Sequence, residues 1–143
     1  MKKLEITFAE LAKKLNIDLN TTQEVNIEEY GIEIESFNIK KDKKIFKPMT
    51  RFVVKDPVDK HYNLTSPKGE ELKTTSVHRT WDKEKQDWVQ SYDRYIFGEN
   101  VSEVDERMQV VDCTVEDTDC YIANGFINHN TTPGGKALKF AAS

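Results

Sequence analysis

An Asn-Gly pair between two short apolar runs is the feature that most constrains how this chain can fold. Asn124 and Gly125 stand between residues 121–123 and 126–127, which are rich in aromatic and β-branched side chains. Asn-Gly is the preferred pair for a type I′ turn, because both central positions need a positive φ and these two residues tolerate it best. The stretch therefore predicts a tight antiparallel hairpin close to the C-terminus.

Short runs with strand character recur along the rest of the chain. Apolar residues alternate with polar ones, or β-branched and aromatic residues cluster, at residues 32–35, 45–54, 61–65, 72–76 and 111–115. The turn-rich stretch 66–70 favours a second hairpin. Pro48 and Pro57 limit how central their strands can be, because proline cannot donate to a ladder. Many short strands with turn signals predict a mainly β domain.

One short helix is expected near the N-terminus. Thr7 followed by Glu10 is a capping box, which marks the start of a helix. The apolar residues that follow recur at helical spacing and end near Asn16; they are Phe8, Leu11, Ala12 and Leu15. This pattern predicts a short amphipathic helix that packs on the strands.

Composition narrows the class of protein. A chain of 143 residues with 37% hydrophobic content fits one small domain. The net charge of -4 comes from many charges of both signs, which favours neither a nucleic-acid binder nor a membrane-surface protein. Cys113 and Cys120 are too few for a disulfide framework or a cysteine-based zinc site. With no apolar run of signal-peptide or membrane-span length, we expect a soluble, cytoplasmic protein.

The most specific motif is residues 110–131, which read VVDCTVEDTDCYIANGFINHNT. Asp112 lies on the predicted strand, Tyr121 opens an aromatic-x-x-Asn-Gly hairpin, and the string closes on His, Asn and Thr. This order of elements resembles the C-terminal end of an intein, a self-excising protein-splicing domain. A bare His-Asn-Thr is common by chance, whereas the whole ordered string is not.

The last three residues of this motif carry chemistry that an intein needs. The side-chain amide of Asn130 can attack its own carbonyl carbon, which closes a succinimide and cuts the following peptide bond. Thr131 offers a hydroxyl nucleophile that must be activated by a base or by geometry. His129 is the nearest group for proton transfer.

A second motif stands upstream. Thr75 and His78 form a Thr-x-x-His pattern at the end of a predicted hairpin strand, which is similar to the motif that inteins carry in the same position. The resemblance implies that His78 hydrogen-bonds the amide nitrogen of the upstream splice junction and that Thr75 helps to hold the scissile group.

The chain departs from the intein pattern at one position. Inteins often place a His two residues before the aromatic of the last hairpin, where this chain has Asp119. Asp119 could take over acid–base duty, or cyclisation could depend on His129 alone. Asp112 is either catalytic or a strand-end carboxylate that caps a turn. The cysteines are expected to be structural, and core or surface roles are expected for three residues without a motif, namely His61, Trp81 and Trp88.

The resemblance covers residues 2–130 and implies a Hint-type horseshoe of short antiparallel strands. Inteins usually begin with Cys, Ser or Ala and a first strand, and neither stands ahead of the helix here. We therefore expect an atypically split mini-intein. Residues 1–130 would be its C-fragment, without a homing endonuclease domain, and a short N-terminal fragment would supply the first nucleophile and a strand. No metal or cofactor is implied.

The last residues resemble a different protein. Residues 131–143, TTPGGKALKFAAS, look like a segment of a phage or RecA-type recombinase, so they are expected to be the C-extein of such a host, without a direct nucleic-acid role for this chain. Two other functions stay open. One is a cleaving relative of inteins that releases its flanks, and the other is a recombinase module that docks a peptide or DNA without catalysis.

Overall fold

The computed structural model describes residues 5–130. Two α-helices lie in this part of the chain, α1 (Phe8–Leu15) and α2 (Ser91–Ile96), together with one short 3-10 helix (Glu28–Tyr30). The first five strands are β1 (Gln23–Asn26), β2 (Glu33–Asn38), β3 (Lys43–Val58), β4 (His61–Thr65) and β5 (Glu71–Thr74). The remaining strands are β6 (Arg79–Asp82), β7 (Asp87–Gln90), β8 (Val101–Val104), β9 (Met108–Val115), β10 (Cys120–Ala123) and β11 (Phe126–His129). The predicted mainly β fold is confirmed.

The strands form three antiparallel sheets. In the first, β3 pairs with β2 along its first half and lies between β1 and β9 along its second half. In the second, β4 lies between β5 and β8. The third has the order β10-β11-β6-β7, so the C-terminal hairpin joins the strands that follow β5. This topology brings the predicted upstream and downstream motifs towards each other.

Strand β3 passes through both prolines because each stands where its pairing changes. Pro48 faces Glu33 at the last position of the β2 ladder, and the next residue, Met49, already pairs with β9. Pro57 falls within an irregularity between Lys55 and Val58. Proline costs least where no ladder hydrogen bond is required of it. Pro48 therefore marks the end of one ladder and Pro57 an interruption in another, and neither ends the strand.

The capping box of α1 is present as predicted. The Thr7 hydroxyl accepts from the Glu10 amide at 3.0 Å, and the Glu10 carboxylate accepts from the Thr7 amide at 2.8 Å. Leu11 and the neighbouring alanine are buried in the core beneath β3 and β9. The Phe8 ring meets the ring of Tyr121 edge to face, with centroids 5.8 Å apart. The helix is thus anchored on the C-terminal hairpin.

The hairpin of β10 and β11 is also confirmed. Asn124 and Gly125 both have positive φ, 49° and 80°, as a type I′ turn requires. The side-chain Nδ2 of Asn124 donates to the main-chain carbonyl of Glu71 at 2.8 Å, so the tip of the hairpin is attached to β5. This contact helps to fix β11, which carries the C-terminal motif.

Helix α2 was not predicted from the sequence. Its six residues are too few to show a helical period, and tertiary contacts hold it instead. Buried Arg94 donates to the Thr80 hydroxyl at 3.0 Å and pairs with Glu99 at 2.7 Å and Asp82 at 3.6 Å. No helix within residues 5–130 is long and apolar enough to cross a membrane. The expected boundary before residue 131 lies outside the described residues.

Candidate active site

An open cleft of about 480 Å³ brings the two predicted motifs together. Its walls come from β5 and the turn after it, from β9, from the C-terminal hairpin and from Phe8 of α1. Five of the candidate site residues line it, namely Thr75, His78, Asp112, His129 and Asn130. Residues that are up to 55 positions apart in the sequence therefore share one solvent-accessible space.

His78 stands in the turn that follows β5. Its amide donates to the carbonyl of Thr75 at 3.3 Å, and its own carbonyl accepts from the amide of Ser91 at 2.9 Å. The half-buried ring reaches towards β11, where Nε2 lies 2.7 Å from Oδ1 of Asn128. The upstream motif is thus linked by a hydrogen bond to the strand that carries the downstream motif.

His129 is oriented by its own neighbour in the chain. Nδ1 lies 2.9 Å from the carbonyl oxygen of Asn130. A carbonyl oxygen can only accept, so Nδ1 carries the proton and donates it to this bond. Burial lowers the pKa of His129 below its usual 6.5, with the hydrogen bond to Asn130 acting in the opposite sense. The Trp88 ring, 4.8 Å away between centroids, covers the imidazole edge to face.

Asn130 is buried and held at both its backbone and its side chain. Its amide donates to the carbonyl of Asp119 at 3.0 Å, and Oδ1 accepts from the amide of Val115 at 3.1 Å. Donation from Nδ1 of His129 to the main-chain carbonyl makes the carbonyl carbon of Asn130 more electrophilic, while the Val115 amide fixes the orientation of the carboxamide.

Asp112 is buried in the wall of the cleft. It lies within β9 rather than at a strand end, and Oδ1 accepts from the Cys113 amide at 2.8 Å and from the Tyr121 hydroxyl at 2.9 Å. Burial, followed by the charge of Asp112, raises the pKa of Tyr121 well above its usual value, so the phenol remains a donor. The Lys55 ammonium is 3.9 Å from the other oxygen. The turn-capping interpretation of Asp112 is not what the structure shows.

Asp119 does not line the cleft. Its side chain is exposed and its backbone has a φ of 56°, in the left-handed region. Asp119 contributes its main-chain carbonyl oxygen to the site, which accepts a hydrogen bond from the main-chain amide of Asn130. An acid–base role for its carboxylate stays a prediction. Thr131, the predicted second nucleophile, lies outside the described residues.

Two residues of the site were missed by sequence reasoning. Asn128 lies in β11, two positions before Asn130, so the alternation of the predicted strand could have indicated it. Trp88 reaches His129 of β11 from β7, across β6, and no local pattern in the sequence signals that contact. Asn128 was not singled out in the sequence, and Trp88 was expected only to be a core or surface residue.

The potential metal ligands in the part of the chain that the structure describes include both cysteines. No group of three His, Cys, Asp or Glu side chains between residues 5 and 130 is arranged to hold an ion. Cys113 and Cys120 are both fully buried and free. Burial raises the pKa of the Cys113 thiol well above its usual value, so it stays protonated and unreactive.

Comparison with known proteins places the fold. No family model matches the sequence, and no curated protein is similar to it. Among solved structures, a DnaB intein from Synechocystis sp. PCC 6803 is similar with a TM-score of 0.63 and 16% identity, over 89% of this chain and 87% of that chain. The PabCDC21-1 intein gives a TM-score of 0.60 and 20% identity, over 85% and 83%.

A third structure is an engineered consensus intein with an atypical split site. It is similar with a TM-score of 0.50 and 16% identity, over 69% of this chain and 90% of that chain. At these identities the likeness concerns the fold, which is the Hint fold of inteins.

Proposed function

We propose that this chain carries out protein trans-splicing. In this proposal it binds a short N-terminal intein fragment, excises itself together with that fragment, and joins the flanking segments through Thr131 and Asn130. The observation that supports it most is the shared cleft, because splicing couples two junctions and the residues for each junction line the same space. Intramolecular steps of this kind gain much of their rate from such proximity.

The downstream step is cyclisation of Asn130. Nδ2 attacks the main-chain carbonyl carbon of the same residue and loses one proton, the bond to the nitrogen of Thr131 breaks, and that nitrogen leaves as an amine after gaining this proton. Nδ1–H of His129, 2.9 Å from the carbonyl oxygen, stabilises the negative charge that develops there. The Val115 amide holds Oδ1 and so orients Nδ2.

The upstream steps use His78 and Thr75. The first residue of the N-fragment attacks the carbonyl before it through a thiol or hydroxyl, the amide C–N bond breaks, and the proton of the nucleophile passes to the departing nitrogen. The hydroxyl of Thr131 then takes over the acyl group from this thioester or ester. After cyclisation, an O-to-N shift to the freed amine of Thr131 gives an ordinary peptide bond. No step requires a metal or cofactor.

The partner fits the cleft as an added strand. Among residues 5–130, β5 is paired only with β4 and β9 only with β3, so each wall of the cleft presents a strand edge. An extended peptide between them can pair by strand addition. The similarity to an engineered intein with an atypical split site is consistent with a short N-fragment. We assign residues 1–130 to the C-fragment and 131–143 to a recombinase C-extein, in a cytoplasmic host.

Mass spectrometry tests this proposal directly. The chain is mixed with tagged candidate N-fragments that begin with Cys or Ser, and the masses of all products are followed. We expect the tag joined to Thr131, with residues 1–130 released as a succinimide. Asn130→Ala should give no joined product, and His61→Gln, outside the cleft, should splice normally. Failure with every N-fragment of a broad panel would count against trans-splicing.

Cleavage without joining is the second candidate function. The groups that act on the downstream bond, Asn130, His129 and the Val115 amide, all belong to this chain and are already in contact. A cleaving domain would release residues 131–143 without any partner and would show no joined product with one. A binding module would show no mass change at all, and Asn130→Ala would leave its binding unaltered.

A further inference from the structure

Asn128 is one of the most buried polar residues of the chain and contacts the upstream motif. It is 1% exposed and sits in β11 opposite Thr80 of β6. Oδ1 lies 2.7 Å from Nε2 of His78. Nδ2 donates to the carbonyl of Phe126 at 3.0 Å and lies 3.5 Å from that of Tyr121. Both ends of its carboxamide are therefore engaged.

These contacts fix which way the carboxamide points. The carbonyls of Phe126 and Tyr121 can only accept hydrogen bonds, so the nitrogen of Asn128 must face them. The oxygen then faces His78, and because it can only accept, Nε2 must carry a proton. A neutral imidazole has a single N–H, so Nδ1 is left with its lone pair.

We propose that Asn128 is a positioning residue that fixes the tautomer and ring orientation of His78, so that unprotonated Nδ1 serves the upstream junction. The role of Nδ1 rests on the proposed splicing function, whereas the tautomer does not. His78 lines the cleft, and no residue between 5 and 130 hydrogen-bonds its Nδ1. Nδ1, which makes no hydrogen bond to the described residues, is thus the ring nitrogen available to a bound peptide.

In the upstream step that this arrangement serves, Nδ1 of His78 takes up one proton and then releases it. Nδ1 of His78 accepts the proton from the thiol or hydroxyl of the N-fragment's first residue as the new C–S or C–O bond forms. It then gives that proton to the amide nitrogen as the C–N bond breaks. The imidazole passes through its doubly protonated form, which Oδ1 of Asn128 stabilises by accepting from Nε2–H throughout. The wrong tautomer would present N–H to the nucleophile and could not act as its base.

Nitrogen NMR of the histidine rings tests the tautomer without any splicing. The chain has three histidines, so His78→Gln and His61→Gln assign all three ring systems. We expect Nε2 of His78 to be protonated, with a slowly exchanging proton, and Nδ1 to be bare. Asn128→Leu should lose the exchange protection by roughly 10-fold or more, since the buried acceptor is gone. Asn128→Asp keeps an acceptor and should keep the signature.

Asn63→Leu is the matched control. It removes another strand asparagine, whose Oδ1 has no hydrogen-bond partner among the described residues, and it should leave the His78 signals unchanged. Protonation of Nδ1 rather than Nε2 in the unaltered protein would overturn the proposal, and so would an unchanged tautomer and exchange rate in a folded Asn128→Leu. If Asn128→Leu fails to fold, the unaltered protein and Asn128→Asp still decide.

The activity readout separates this proposal from the splicing proposal. With a working N-fragment, Asn128→Leu should slow thiol- or hydroxylamine-induced cleavage at the upstream junction by on the order of 10-fold to 100-fold. Asn128→Asp should recover part of that loss. Equal rates for Asn128→Leu and the unaltered protein would overturn the positioning role. If no N-fragment reacts, the splicing proposal fails. The NMR measurement still tests separately whether Asn128 fixes the tautomer of His78.

Discussion

Nδ1 of His129 lies 2.9 Å from the carbonyl oxygen of Asn130, the atom on which negative charge would develop if the Asn130 side chain attacked its own main chain. The contact forms where β11 ends, at His129. The bond from the Asn130 amide to the Asp119 carbonyl holds it in that geometry. The protonation state of His129 therefore becomes a measurable property of the site.

The stability of the protein should depend on the titration of His129. Burial lowers the pKa of His129 in the folded state, so below about pH 6.5 the unfolded chain binds more protons at this residue than the folded one. Its contribution is fully present above about pH 6.5 and is lost as the pH falls through the folded pKa. Urea unfolding between about pH 5 and pH 8 should show a steeper loss for the unaltered protein than for His129→Gln. Parallel profiles would contradict this.

Trp88 should control that pKa. Its ring covers His129 with a centroid distance of 4.8 Å, and burial is the main cause of the lowered pKa. Trp88→Ala admits water and should raise the pKa of His129 towards its usual value, which an NMR titration measures directly. Trp81→Ala is the control. Trp81 meets Trp88 edge to face with centroids 5.3 Å apart, so this variant removes a neighbouring indole ring but keeps Trp88 itself. An equal shift in both variants would show that Trp88 has no direct effect.

Sequence reasoning predicted local features best where a short pattern determines the backbone. The Thr7–Glu10 capping box and the Asn124–Gly125 turn are examples, since each depends on residues at most three positions apart. The alternation of apolar and polar residues predicted the strands. The resemblance of residues 110–131 to inteins predicted the Hint fold. What is shown of the fold was therefore largely accessible from the sequence.

Contacts between strands that are far apart in the sequence could not be predicted from it. The hydrogen bond from His78 to Asn128 joins residues 50 positions apart, and it requires both the register of β11 on β6 and the turn after β5. Helix α2 depends on buried Arg94 and its partners rather than on a period of its own. A single sequence carries no signal for such pairings, because their energy comes from tertiary contacts.

Removal of the Tyr121 hydroxyl should destabilise the site around Asp112. The hydroxyl donates to Oδ1 of Asp112 at 2.9 Å in a buried environment, so Tyr121→Phe leaves a carboxylate with one partner fewer. The expected loss in the free energy of unfolding is about 1 to 3 kcal/mol, measured by urea unfolding. Tyr30→Phe, at a tyrosine that is 54% exposed, should be close to neutral. A loss of the same size at Tyr30 would mean that the hydrogen bond is not responsible.

The tip of the C-terminal hairpin gives a matched pair of glycine substitutions. Gly125 and Gly98 have similar φ, 80° and 73°, so alanine at either position carries a similar backbone strain, of about 1 kcal/mol. At Gly98 a Cβ would meet nothing within 4 Å, whereas at Gly125 it would meet the Glu70 carboxylate at 2.8 Å and the Ser66 Cβ at 3.2 Å.

The steric term at Gly125 should add to the strain. The carboxylate of Glu70 can rotate away, but Ser66 is held by the turn, where its amide donates to the Glu70 carbonyl at 2.8 Å. Gly125→Ala should therefore destabilise more than Gly98→Ala in urea unfolding, by about 1 kcal/mol or more. The hairpin includes β11, which leads directly into Asn130. Gly125→Ala should therefore also slow cleavage after Asn130, while Gly98→Ala should not. Equal stability losses with unchanged cleavage would show that the hairpin tip does not control the site.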